Sequence, residues 1–193
     1  MRTFQSEEIR DIVIAIVVLT IIFAYPDALF SIQLILLYFV AVVTGFLFHE
    51  LAHKFSANKY GCYAQFKLWP IGLVFGLLFT IISGGNIKFV APGAVMIFPF
   101  RFGRWRYRTA RLTHSEEGVI SASGPAINLA FALLFTLLPI TGMNFLIMIN
   151  AWLALFNLLP IRPLDGAKVF SWKPWVWIIM MAISILLLTP YFI

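Results

Sequence analysis

Cysteine is almost absent from this chain. A single residue, Cys62, excludes an intramolecular disulfide framework and is too few for a cysteine-built zinc site, so it reads as an incidental thiol. Charge is scarce as well: only 11% of the 193 residues are Asp, Glu, Lys or Arg, while 62% are hydrophobic, far above the apolar share of a soluble domain. With so little polar surface to offer water and a mean hydropathy of +0.95, the chain reads as an integral membrane protein. Acidic residues are the scarcer sign, 8 Asp+Glu against 14 Lys+Arg. A cationic excess can signal nucleic acid, but here the basic residues lie in short segments between apolar runs, the positive-inside pattern of a membrane protein. The bilayer is therefore an expected partner and nucleic acid is not. There is no internal repeat, low-complexity segment or long linker.

A chain of 193 residues holds about six crossings of about 20 residues each. The apolar runs place transmembrane helices at about 10–25, 31–57, 69–83, 118–139, 143–160 and 172–191, giving an all-α polytopic membrane protein with one membrane-embedded domain over 1–193. The first run is read as a retained helix. Its start mixes Arg2, Glu7, Glu8, Arg10 and Asp11, and Phe23-Ala24-Tyr25-Pro26-Asp27 offers no small-x-small cleavage site. The turn with Pro26 and Asp27 lacks Lys and Arg and reads as external. Lys54, Lys59 and Lys67, then Arg101, Arg104, Arg106, Arg108 and Arg111, then Arg162, Lys168 and Lys173 read as cytoplasmic, with the N-terminus on the same side. A prokaryotic-type cell membrane is the expected location.

By that parity, 69–100 must leave and return to one side. Pro92, Gly93 and Pro99 interrupt its second half, so 87–100 is expected to be a short re-entrant or extended β-like segment near the active site. Broken backbone at membrane depth is tolerated only where protein or a water-filled cavity covers it. The basic run 101–111 alternates with Phe102, Trp105 and Tyr107, which suits anionic-lipid contact and also an interfacial strand. The tryptophans near helix ends read as interfacial anchors. His114 lies in a polar cytoplasmic segment and reads as an ordinary histidine.

Within this apolar chain, His49-Glu50-Leu51-Ala52-His53 is chemically distinct. Residues four apart share one helix face, so His49 and His53 can both offer an imidazole nitrogen to one metal ion. Glu50 stays close enough to act on a water held there. Catalytic zinc takes three protein ligands, and a carboxylate serves beside two histidines. Asp165 is the only other carboxylate at the same expected depth, on a helix end parallel to the first, and is the best third ligand. Glu50 then takes a proton from water and hands it to the leaving amine. Asn157, one turn before Pro160, can donate to a substrate carbonyl or developing oxyanion and is the second catalytic candidate. Asn128 and Gly124 are the substrate-binding candidates. Asn128 is an intramembrane amide that can steady a neighbouring helix or a substrate backbone, and Gly124 lies in a run of small residues, 121–126, that allows close helix contact.

The chain resembles the site-2 protease family of intramembrane zinc metalloproteases, which joins an H-E-x-x-H on one transmembrane helix to an N-x-x-P-x-x-x-x-D-G on a later one. Here these are His49-Glu50-Leu51-Ala52-His53 and Asn157-Leu158-Leu159-Pro160-Ile161-Arg162-Pro163-Leu164-Asp165-Gly166. Ser123-Gly124-Pro125-Ala126-Ile127-Asn128 matches the family's G-x-x-x-N helix between them. The resemblance implies proteolysis of transmembrane protein substrates, one zinc ion on His49, His53 and Asp165, and Glu50 as acid/base. Unlike several members, the chain has no insertion large enough for a PDZ domain and no CBS domains. The alternative is a membrane metal-binding transporter or sensor that uses the same ligands without hydrolysis.

Overall fold

The computed structural model describes residues 4–26, 28–86, 88, 92–98, 100–102, 107–109, 112–138 and 142–191. Several expected features, among them Asp27, Arg104, Trp105, Arg106, Arg111, Pro139 and part of the 87–100 segment, lie outside these residues. In chain order the elements are α1 (Ser6–Ala24), α2 (Ile32–Val42), a π-helical turn (Val43–Leu47), α3 (Phe48–Lys59), β1 (Tyr63–Leu68), α4 (Pro70–Ile82), β2 (Gly93–Phe98), β3 (Phe100–Phe102), β4 (Tyr107–Thr109), α5 (His114–Thr136), α6 (Met143–Asn157), α7 (Asp165–Trp172), α8 (Pro174–Leu188) and a final 3-10 turn (Thr189–Tyr191). The protein is thus mostly helical. Among the described residues three helices, Ile32–Lys59, His114–Thr136 and Pro174–Tyr191, are long and apolar enough to cross a membrane; Pro70–Ile82 and Met143–Asn157 are apolar but shorter.

Local chemistry sets the boundaries. Helix α1 begins earlier than its apolar run because Glu7 and Glu8 occupy its first turn, where the helix dipole favours negative charge. Helix α5 likewise starts at His114: Thr113 accepts from the Glu116 N–H while Glu116 accepts from the Thr113 N–H, a capping box that satisfies two otherwise unpaired donors. Pro70 and Pro174 open α4 and α8, where a missing N–H costs nothing. Helix α4 closes with Gly85 N–H on Thr80 O and Gly84 N–H on Ile81 O; Gly84 takes the φ of +63° that this termination requires. The expected uniform helix over 31–57 is interrupted by the π turn. There the Thr44 hydroxyl donates to Val40 O at 2.9 Å and lies 3.3 Å from Ala41 O, entering the carbonyl ladder one residue before Gly45.

Extended structure is more abundant than the sequence suggests. β1 pairs with β2, and β3 pairs with β4 antiparallel in the register Phe100↔Thr109, Arg101↔Arg108, Phe102↔Tyr107. Within 101–111 the described residues thus include paired extended backbone, and the second half of 87–100 is extended over Gly93–Phe98. Strand β1 sits in a stretch read only as a polar connection, because six residues of mixed polarity carry little period-two signal.

The chain forms two compact units. In the first, residues 1–47 and 65–96, α1 packs on α2 and α4 through Ala15, Leu19, Ile22 and Ala24. Glu8, buried in α1, accepts the Phe66 N–H at 2.9 Å, and Asp11 accepts the Leu68 N–H at 3.3 Å. Two carboxylates of one helix thus occupy alternate donors along one edge of β1. Lys88 Nζ donates to Phe23 O at 2.6 Å near the end of α1 and stands over the Tyr38 ring.

In the second unit, residues 48–64 and 97–193, α5 is central and packs against α3, α6, α7 and α8. Leu129, Ala154, Leu158 and Met180 form its core with Val176, Trp177 and Met181 around them. Polar side chains on the apolar helices turn back to their own carbonyls, as Asn150 does on Leu146 O and Ser184 on Met180 O, which satisfies these donors where water is excluded. Replacing Thr113 by Ala is expected to cost about 1 kcal/mol. A lowered thermal midpoint in detergent for Thr113→Ala, with Thr113→Ser close to wild type, would show it.

Candidate metal centre

Helix α3 places His49 and His53 one turn apart on one face, both buried. Their Nε2 atoms are 3.0 Å apart. Asp165, the first residue of α7, brings Oδ2 to 3.1 Å from His53 Nε2 and 3.4 Å from His49 Nε2. Among the described residues these three form a group able to hold a metal ion. The donor chemistry fits a cation. His53 Nδ1 lies 2.8 Å from Ile120 O; a carbonyl only accepts, so Nδ1 carries a hydrogen and Nε2 is the ring nitrogen turned toward the other two donors. Two imidazole nitrogens and a carboxylate oxygen at such distances repel unless positive charge lies among them. His–His–carboxylate is also a set that catalytic zinc accepts. Asp165 lies outside the apolar spans: burial opposes its charge, but the adjacent His53 and His49 outweigh burial and hold its carboxyl well below the ordinary range.

The three donors come from two elements that α5 and α6 hold in place. Helix α6 ends at Asn157, and Pro160 and Pro163 prevent its continuation. The freed Leu158 carbonyl accepts the Trp177 indole N–H of α8 at 2.6 Å. Gly166 rests directly on the Leu158–Leu159 backbone, where a Cβ would collide. The chain begins α7 there, with Asp165 at the N-terminus and Val169 buried. At the other end of α7, Trp172 covers Gly118 of α5, again too closely for a Cβ.

Gly124 is placed by the structure against the imidazoles. A Cβ built there would clash with His53 Nε2 and lie 2.6 Å from His49 Nε2. The absence of a side chain on α5 thus leaves the space in which the two metal-facing nitrogens sit. Asn128, one turn further along α5, is fully buried. Asn157 donates its amide to Leu153 O at 3.0 Å, so it is engaged with its own helix. Glu50 is half-buried and lies three residues before His53 on α3, at neighbouring positions of the helix surface. His114 starts α5 and meets Ser171 at 3.1 Å, away from this group. Sequence reasoning did not identify Ile120, because a backbone carbonyl leaves no signature in a side-chain pattern.

Comparison with known proteins agrees with this chemistry. The chain is 37% identical over 186 residues to the Methanocaldococcus jannaschii protein named "Putative zinc metalloprotease MJ0611", covering 92% of this chain and 90% of that one. It is 29% identical over 151 residues to "Putative zinc metalloprotease YwhC" of Bacillus subtilis, across 68% of this chain and 66% of the relative. It is also 30% identical over 155 residues to "Putative zinc metalloprotease Rip2" of Mycolicibacterium smegmatis, across 66% and 55%. No family model matches the chain, and no solved structure matches it.

The contact at Gly124 gives a direct check on the site. Gly124→Ala is expected to lose bound zinc while keeping wild-type helix content, read by elemental analysis and circular dichroism; full zinc occupancy in the variant would contradict the geometry. With the H-E-x-x-H histidines and the aspartate of the later motif meeting at one point, and a zinc metalloprotease by name alike along nearly the whole length, the chain belongs to the site-2 protease family.

Proposed function

We propose that this protein is an intramembrane zinc endopeptidase that hydrolyses peptide bonds within transmembrane segments of membrane protein substrates. The observation that carries the reading is the buried convergence of His49, His53 and Asp165, with Glu50 beside them on α3. These three residues would hold one zinc ion, which supplies Lewis-acid chemistry, making a water acidic enough to lose its proton near neutral pH and polarising a peptide carbonyl. Glu50 accepts that proton as the water oxygen adds to the carbonyl carbon. It returns the proton to the nitrogen as the C–N bond breaks, so the products are a carboxylic acid and an amine. Asn157 is the candidate donor to the oxyanion and must leave Leu153 O to serve. Asn128 and Gly124 are the positions proposed to face substrate, Gly124 chiefly by leaving room beside the imidazoles.

The proposed arrangement is a multi-pass membrane domain with the site toward the cytoplasm. Helix α4, with 13 residues, extends about 20 Å, and β2, with 6 residues, also about 20 Å. Neither reaches across a hydrocarbon core of about 30 Å. Their equal reach supports the reading in which 69–100 dips in and returns on one side.

A substrate helix shields its own peptide carbonyls, so it must be extended before attack. Because α1 carboxylates occupy one edge of β1 and β2 pairs along β1, we propose that an unwound substrate adds to the outer edge of β2. Proline replacements along Gly93–Phe98 are expected to abolish cleavage of a single-span substrate; unimpaired cleavage across the whole scan would refute strand addition. For the chemistry itself, Glu50→Gln is expected to keep zinc and to cut more slowly by at least about 100-fold, measured on candidate single-span proteins with the cleaved bond located by mass spectrometry. Retained metal with retained biological function and no cleavage by either form would favour the transporter or sensor.

A further inference from the structure

The two histidines of α3 are held differently from behind. His53 Nδ1 meets Ile120 O at 2.8 Å, whereas the buried Nδ1 of His49 has no hydrogen-bond partner among the described residues. Among the described residues, the hydrogen bond behind the pair is therefore the one at His53. Ile120 O has a second donor, the Ser123 hydroxyl at 2.6 Å, and the same hydroxyl oxygen lies 3.5 Å from His53 Nδ1. Pro125 follows within the same helix and lacks the N–H that would pair with Ser121 O. Regular helical bonding is thus weakened in the very turn that has to present a carbonyl outward.

We propose that Ser123 is a positioning residue for the metal centre: its hydroxyl, donating to Ile120 O beside His53 Nδ1, fixes the carbonyl that holds His53 in the Nδ1–H tautomer with Nε2 facing Asp165 and His49. The inference rests on the metal site proposed above. Its physical content is a ring flip. Rotating the His53 imidazole by half a turn exchanges Nδ1 with Cδ2 and Nε2 with Cε1, so a carbon would replace the donor nitrogen. A carbonyl pinned from two sides makes that flip costly, since His53 Nδ1 would leave a buried acceptor. Partners behind a ligating histidine commonly change metal affinity by about 10- to 100-fold when removed. A serine that merely closes a hydrogen bond within its own helix would affect folding and leave the metal alone.

The test compares wild type, Ser123→Ala and Ser123→Thr as full chains in detergent. Zinc dissociation constants come from chelator competition, melting points from the zinc-free proteins, and the His53 tautomer from nitrogen-15 histidine spectra. Ser123→Ala is expected to bind zinc about 10- to 100-fold more weakly at a near-unchanged zinc-free melting point, and to show mixed His53 tautomers. Ser123→Thr, which keeps the hydroxyl, is expected to restore most of the affinity. Equal zinc affinity in wild type and Ser123→Ala overturns the proposal while leaving the protease reading intact. An Nε2–H tautomer at His53 in the zinc-free wild type overturns it even where Ser123→Ala does not fold. Absence of zinc binding in wild type overturns both readings.

Discussion

Three donors packed at 3.0 to 3.4 Å from one another need a proton or a cation among them, and the second unit is shaped by the need to bring them together. Helix α3 must present two imidazoles from one face, α5 must shed a side chain where they meet, α6 must stop, and a new helix must begin with a carboxylate. Each requirement appears as a local feature: the four-residue histidine spacing, Gly124, the prolines after Asn157, and Asp165 at the start of α7. The energetic logic fits the metal site proposed above, in which an ion converts mutual repulsion of the donors to attraction.

The same unit shows how apolar helices approach without a hydrophobic force between them. In lipid, association depends on close packing and on satisfied polar groups. Gly118 under Trp172 and Gly166 on the Leu158–Leu159 backbone supply contact that any Cβ would prevent. The Trp177 indole on Leu158 O then closes a carbonyl that the α6 terminus leaves open. Small residues and one aromatic donor therefore fix the place of α7, and through it the place of Asp165.

Much of this was legible in the sequence because it is encoded in side-chain type and spacing. Long apolar runs marked the helices, and the pairing of His49 with His53 followed from helical periodicity alone. Asp165 could be chosen because few carboxylates exist at all. Other features were hidden for physical reasons. Helix α7 has eight residues, too few to display a period. Strand β1 is held by carboxylates from α1, distant in sequence, which no local pattern reveals. Gly124 read as generic packing because a missing side chain does not say what fills the space. The hold on His53 runs through the backbone of Ile120 and was invisible to residue-based reasoning.

The separation of the ligands along the chain has an outcome in time. The histidines of α3 emerge early in synthesis and Asp165 only near the end. A ribosome-bound chain that has released α3 and α5 offers two donors of the three, and the carboxylate joins them only after α6 has stopped and α7 has docked on α5. If these residues hold zinc as proposed, completion of this centre is a late event in biogenesis, and a truncated or misassembled chain carries the H-E-x-x-H without the means to complete its site.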